Sequence, residues 1–67
     1  MQAVVYTGDK IKHLRDARAL TQEELANQAG ITVTALSRIE RNQAEQRATT
    51  RRKLAQALGV DPAELLK

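Results

Sequence analysis

The sequence predicts an all-α fold: a compact domain of five short helices preceded by a short extended arm. Three observations carry this. Apolar residues from Ile11 onward recur at helical spacing, not in strand-like alternation. Capping residues stand where such segments begin and end: Thr21, Thr32 and Asp61 in front, Gly30, Asn42 and Gly59 behind. The one β-prone run, Val4-Val5-Tyr6, is single, and a lone strand is not stable by itself. The chain has 67 residues, enough for one domain only. Residues 1–7 are read as the arm and residues 8–67 as the helical domain.

The first helix is expected from Gly8 to near Ala19, with Thr7 as its cap. Ile11, Leu14, Arg15 and Arg18 fall on one face, so an arginine, Arg15, lies on or beside the inward side. The second helix follows Thr21, which with Glu24 forms a capping-box pair, and Leu20 is a staple residue. Leu25, Ala26 and Ala29 are its buried stripe, and the small alanines let another helix approach closely. Gly30 supplies the left-handed residue that ends it, Ile31 plugs the core, and Thr32 caps the third helix.

On a helical wheel at about 100° per residue, the third helix has two distinct sides. Thr34, Ser37, Arg38 and Arg41 lie on the polar side, with Val33 at its edge. Ala35, Leu36 and Ile39 lie on the apolar side, and Glu40 sits near the boundary. Asn42 is a left-handed cap, and residues 43–48 form a polar connection. Thr49 or Thr50 caps a fourth helix that runs to Leu58, with Leu54, Ala55 and Leu58 inward. Gly59 ends it. Asp61 and Pro62 then start a short fifth helix bearing Leu65 and Leu66.

Composition narrows the function. With no cysteine there is neither a disulfide nor a thiolate metal site. No apolar run is long enough to span a membrane, and the N-terminus lacks the basic region of a signal peptide, so a cytoplasmic protein with no membrane partner is expected. His13 stands alone, so neither a metal nor another cofactor is expected. No Ser–His–Asp set, glycine-rich phosphate loop or carboxylate pair stands out, so an enzyme is not expected. Tyr6 is the single aromatic residue, leaving no stacking platform for single-stranded nucleic acid.

Net charge is only +3, but its distribution is uneven. From Arg38 to Lys53 there are six basic residues against two acidic ones. That excess suits an anionic partner such as a phosphate backbone, although an ordinary solvated face looks the same.

Two short helices, a glycine-containing turn, and a second helix with a small polar outer face describe a helix-turn-helix. Short side chains such as Thr34 and Ser37 let a helix axis lie deep in the major groove. Arg38 and Arg41 are long and cationic, and Leu36 and Ile39 anchor the opposite face.

The runs IKHLRDARALTQEELANQAGI, TALSRIER and KLAQALGVDPAELL resemble the phage repressor and Cro-type (XRE-like) helix-turn-helix family, over about residues 8–66. The resemblance implies a repressor-like domain that binds double-stranded DNA and regulates transcription. It implies that Gln22 binds a phosphate and braces the reading helix, with the start of the second helix offering N–H groups to the same phosphate. Thr32, Val33, Thr34, Ser37 and Arg38 match positions facing bases and nearby phosphates. Arg41, Asn42 and Arg47 match the connection that follows the DNA backbone, and Arg15 and Glu40 match a structural pair between helices one and three.

Three positions depart from the family pattern. Where Val33 stands, relatives often carry Gln; valine cannot hydrogen bond but can touch a thymine methyl. Where Asn42 stands, they often carry Gly. Where Arg51 stands, they commonly carry an apolar residue, and Arg51 is expected to lie along the surface toward phosphate. A single reading helix covers about four to six base pairs, which calls for a homodimer on an inverted repeat. Its interface is expected either at Ala3–Tyr6 or at the Leu65–Leu66 end, with the arm preferred. A protein partner, as in the antitoxin of a toxin–antitoxin pair, is the alternative function and is compatible with operator binding.

Overall fold

A computed structural model of the chain describes residues 7–66. Four α-helices, α1 (Gly8–Ala17), α2 (Gln22–Ala29), α3 (Val33–Glu40) and α4 (Ala48–Leu58), are followed by a 3₁₀ helix (Pro62–Leu66). No strand occurs among the described residues. The expected arm lies outside them except for Thr7.

Local chemistry explains the central pair. The Thr21 hydroxyl accepts from the Glu24 N–H at 3.0 Å, and the Glu24 carboxylate accepts from the Thr21 N–H at 2.9 Å. This closed capping box starts α2. The Thr32 hydroxyl accepts from the Ala35 N–H at 3.0 Å and starts α3.

All four α-helices end in one way. A residue with positive φ follows the helix (Ala19 at 55°, Gly30 at 71°, Asn42 at 58°, Gly59 at 70°). The next residue's N–H then returns to a carbonyl in the last turn: Leu20 to Arg15 (3.1 Å), Ile31 to Ala26 (3.0 Å), Gln43 to Arg38 (2.8 Å) and Val60 to Ala55 (3.0 Å). These are Schellman closures, which satisfy carbonyls that the helix leaves free. In three of them the residue after the turn, Leu20, Ile31 or Val60, packs against the core. Gln43 is exposed.

The core joins Ile11 of α1, Leu25, Ala26 and Ala29 of α2, Leu36 and Ile39 of α3, Leu54, Ala55 and Leu58 of α4, and Leu65. α2 packs against both α3 and α4, α1 against α3, and the 3₁₀ helix against α4.

Four expectations change. α1 stops at Ala17, two residues early, because Ala19 takes the left-handed turn that packs a half-buried Leu20 against the core. Thr7 holds the N-cap position of α1, but its side chain makes no cap hydrogen bond. Its hydroxyl donates instead to the Leu65 carbonyl and accepts from Gln46 Nε2 at 2.6 Å. α4 begins at Ala48, ahead of Thr49 and Thr50, with Arg47 at its cap position and no side-chain cap. Leu54, Ala55 and Leu58 face inward from either start, so the apolar stripe does not set the boundary. The fifth helix is 3₁₀, too short for an α ladder: the Glu64 N–H reaches the Asp61 carbonyl at 2.9 Å, and Asp61 Oδ1 accepts from the Ala63 N–H at 2.9 Å.

Candidate nucleic-acid interface

α3 has a clamped inner face and an open outer face. Inside, Leu36 and Ile39 enter the core, and Glu40, only 5% exposed, is buried with them. The Glu40 carboxylate accepts three hydrogen bonds: Arg15 Nε to Oε2 at 2.7 Å, Arg15 Nη2 to Oε1 at 3.1 Å, and Gln22 Nε2 to Oε1 at 3.0 Å. Arg15 Nη1 also donates to the Leu20 carbonyl at 2.8 Å and lies 3.3 Å from Asp16. One guanidinium thus links α1, the turn after it and α3. The hydrogen bond to Glu40 raises the Arg15 guanidinium above its ordinary value against the opposing effect of burial. A buried carboxylate needs hydrogen-bond donors, and this bidentate pair plus an amide supplies three, leaving neither oxygen without one.

Outside, Val33 is 40% exposed. Thr34, Arg38 and Arg41 are exposed and Ser37 is half-buried. Arg41 Nε donates to the Ser37 carbonyl at 3.3 Å. Val33, Thr34, Ser37 and Arg38 therefore share one surface, with Arg41 beside it at the end of the helix.

The other expected contact residues sit differently. The Thr32 hydroxyl is committed to its cap. Half-buried Gln22 gives its amide to Glu40, so its described role is to brace α3. At the start of α2, Glu24 folds back onto Thr21, and Glu23 places a second carboxylate there, which weighs against a phosphate at that helix end. Asn42 Oδ1 accepts from the Gly8 N–H at 3.0 Å, holding the start of α1 to the end of α3. Arg47 is exposed at the cap of α4. Arg51 is half-buried, and its Nε is buried with no hydrogen-bond partner, so it lies inward of the surface path expected for it.

Three residues beneath this surface were not singled out for it by sequence reasoning. A Cβ on Gly8 would stand 2.2 Å from the Ile39 carbonyl oxygen and 2.6 Å from that of Glu40. α1 therefore approaches α3 at backbone distance, and only glycine fits. Thr7 and the buried Gln46 complete the seat under the α3–α4 connection. These contacts join segments 34 and 39 residues apart, and no local pattern marks them.

Among the described residues there is no group of three or more His, Cys, Asp or Glu side chains able to hold a metal, and no helix long and apolar enough to cross a membrane.

A helix-turn-helix family model matches residues 11–65. The chain is 39% identical over 59 residues to the uncharacterized HTH-type transcriptional regulator y4dJ of Sinorhizobium fredii, covering 88% of this chain and 77% of that one. Its fold is similar to that of the restriction-modification controller protein C.AhdI from Aeromonas hydrophila, with a TM-score of 0.87 at 36% identity, over 91% of this chain and 92% of the other. It is also similar to the P22 c2 repressor in complex with a synthetic operator, with a TM-score of 0.85 at 30% identity, over 91% and 92% of the two chains.

Proposed function

This chain belongs to the helix-turn-helix family of repressor-type (XRE-like), DNA-binding transcriptional regulators, and from that premise we propose that it binds an inverted-repeat operator as a homodimer, with α3 in the major groove. The observation that carries this is the division of α3 into two faces. Leu36, Ile39 and the Glu40 carboxylate lock one side, while Val33, Thr34, Ser37 and Arg38 stand together on the other. A rigid helix with short polar residues and one long cation suits base edges, where arginine pairs bidentately with guanine. Arg41 and Arg47, exposed on either side of the connection, are assigned to phosphates. Thr32, Gln22 and Asn42 support the contact by fixing α3 and the turn after it, since their side chains already bond within the domain.

The dimer follows from the few base pairs one reading helix covers. Thr7, the described residue that follows the arm's Tyr6 in sequence, bonds to the Leu65 carbonyl. Deleting residues 2–6 is expected to weaken both self-association and operator affinity. Unchanged values for both would remove the arm from the interface.

The test is selection of bound sites from random duplexes, followed by titration of the best site in rising salt. With about six phosphate contacts, affinity is expected to fall roughly 10³-fold or more between 50 and 200 mM salt. Arg38→Ala is expected to erase preference at one base position; uniform weakening at all positions would make Arg38 a phosphate contact instead. A flat salt response would remove duplex DNA as the partner.

A further inference from the structure

Two consecutive residues grip the connection from α3 to α4 at both of its ends. At its start, the Gly8 N–H donates to Asn42 Oδ1 at 3.0 Å. At its end, Gln46 Nε2 donates to the Thr7 hydroxyl oxygen at 2.6 Å. That hydroxyl has a single hydrogen, which goes to the Leu65 carbonyl, so its oxygen is left to accept. Immediately outside the two gripped residues stand Arg41 and Arg47, both exposed.

Folding alone gives no reason for an amide at position 46. Gln46 is only 4% exposed, and its Oε1 is buried without a hydrogen-bond partner. An unpaired interior acceptor is unfavourable, and an aliphatic side chain of similar volume would avoid it. The reason lies in the neighbouring residue. Arg47 holds the cap position of α4, and no side chain caps that helix, whereas Thr21 and Thr32 cap α2 and α3. No local cap fixes Arg47, so its placement falls to the bond between Gln46 and Thr7. Arg41 is placed by the end of α3, which Asn42 ties to Gly8.

We propose that Thr7 and Gln46 are positioning residues for DNA: they hold Arg47 in register with Arg41, so that both arginines meet phosphates of the backbone at once. This rests on the reading that the connection follows the DNA backbone. Thr7 and Gln46 act through Arg47 and touch no DNA themselves. A cation already in place loses less freedom on binding than one on a loose segment.

The test compares the natural full chain with Gln46→Leu, Thr7→Val and Thr7→Ser on the selected operator in rising salt. The temperature is one at which circular dichroism shows every variant folded. Gln46→Leu removes the grip and the orphan acceptor together and leaves Thr7 free to bond to Leu65, so it separates positioning from folding. Loss of the Arg47 contact in both protomers removes two of about six phosphates. The fall in affinity from 50 to 200 mM salt is then expected to be about tenfold smaller in Gln46→Leu and Thr7→Val than in the natural chain. Preference at each base position is expected to stay, because Arg15 and Glu40 still clamp α3. Thr7→Ser keeps the hydroxyl and is expected to restore the natural fall. Arg47→Ala is expected to flatten the natural chain equally and to add nothing to Gln46→Leu. A purely structural role would lower the active concentration alike at every salt and leave the slope unchanged. A natural slope in Gln46→Leu, a further loss when Arg47→Ala is added to it, or a serine variant no better than the valine one overturns the proposal and leaves the DNA reading standing. A flat salt response of the natural chain overturns that reading too.

Discussion

Replacing Glu40 by alanine is expected to lower stability by about 3 kcal/mol. Removing one member of a buried ion pair costs roughly 3–5 kcal/mol, because the other charge stays buried and unpaired. Here the Arg15 side chain is 11% exposed and would lose two of its hydrogen bonds. It would keep the Leu20 carbonyl and Asp16, which moves the expected cost to the lower end. Gln22, half-buried, can turn its freed amide to water. A domain of this length is worth only about 3–10 kcal/mol in total, so the loss is a large fraction of it. At about 4–8 °C per kcal/mol, the melting point falls by roughly 12–24 °C. The assay is thermal and urea unfolding followed by circular dichroism, with Glu45→Ala, at an exposed position of the connection, as the control. Replacing Arg15 and Glu40 together by Met and Leu is expected to cost less than Glu40→Ala alone, since no orphan charge remains. Equal midpoints for Glu40→Ala and Glu45→Ala would refute the reasoning.

Gly8→Ala is expected to destabilise by about 3 kcal/mol, because the obstacles to its Cβ are the backbone carbonyls of Ile39 and Glu40 rather than flexible side chains; a urea midpoint at or above the natural one contradicts this. Ala19→Gly is expected to do the opposite, relieving a left-handed alanine and raising stability by about 1 kcal/mol, net of the added freedom of the unfolded chain; an unchanged or lower melting point counts against it. The N–H of Thr21, and then its hydroxyl, hold the Glu24 carboxyl below its ordinary 4.5. A carboxyl depressed by folding adds stability that is complete above the unfolded value and fades as pH falls through the lower, folded one. Glu24→Gln keeps an acceptor for the Thr21 N–H at every pH, so the difference in melting point between natural and variant chains should shift in the variant's favour on acidification. A difference independent of pH would contradict the assignment.

The turn between α2 and α3 was legible because its signals are local. Thr21 and Glu24 are three residues apart, Gly30 ends one helix, Thr32 starts the next, and Leu36 and Ile39 share a face. Ala19 was not legible: alanine favours continuing a helix, and only the gain from burying Leu20 makes the turn worthwhile. The start of α4 escaped because two boundaries satisfy the same apolar stripe. Gly8, Thr7 and Gln46 escaped because their importance lies in partners that folding alone brings near. Asn42 illustrates both cases: its left-handed backbone was expected, whereas the bond from its side chain to Gly8 depends on how α1 packs.

The hydrogen bond from Thr7 to the Leu65 carbonyl closes the described chain into a ring spanning 58 residues. A covalent closure of that length would remove roughly 4 kcal/mol of unfolded-state entropy. The hydrogen bond gives no such advantage, because it breaks on unfolding, and so it leaves the two ends dependent on each other. Fraying of the 3₁₀ helix takes the carbonyl from Thr7, loosens Gln46, and with it the seat beneath the connection that leaves α3. A head-to-tail cyclised form would hold that seat shut, and slower amide exchange at Gly8 and along residues 43–48 would record it.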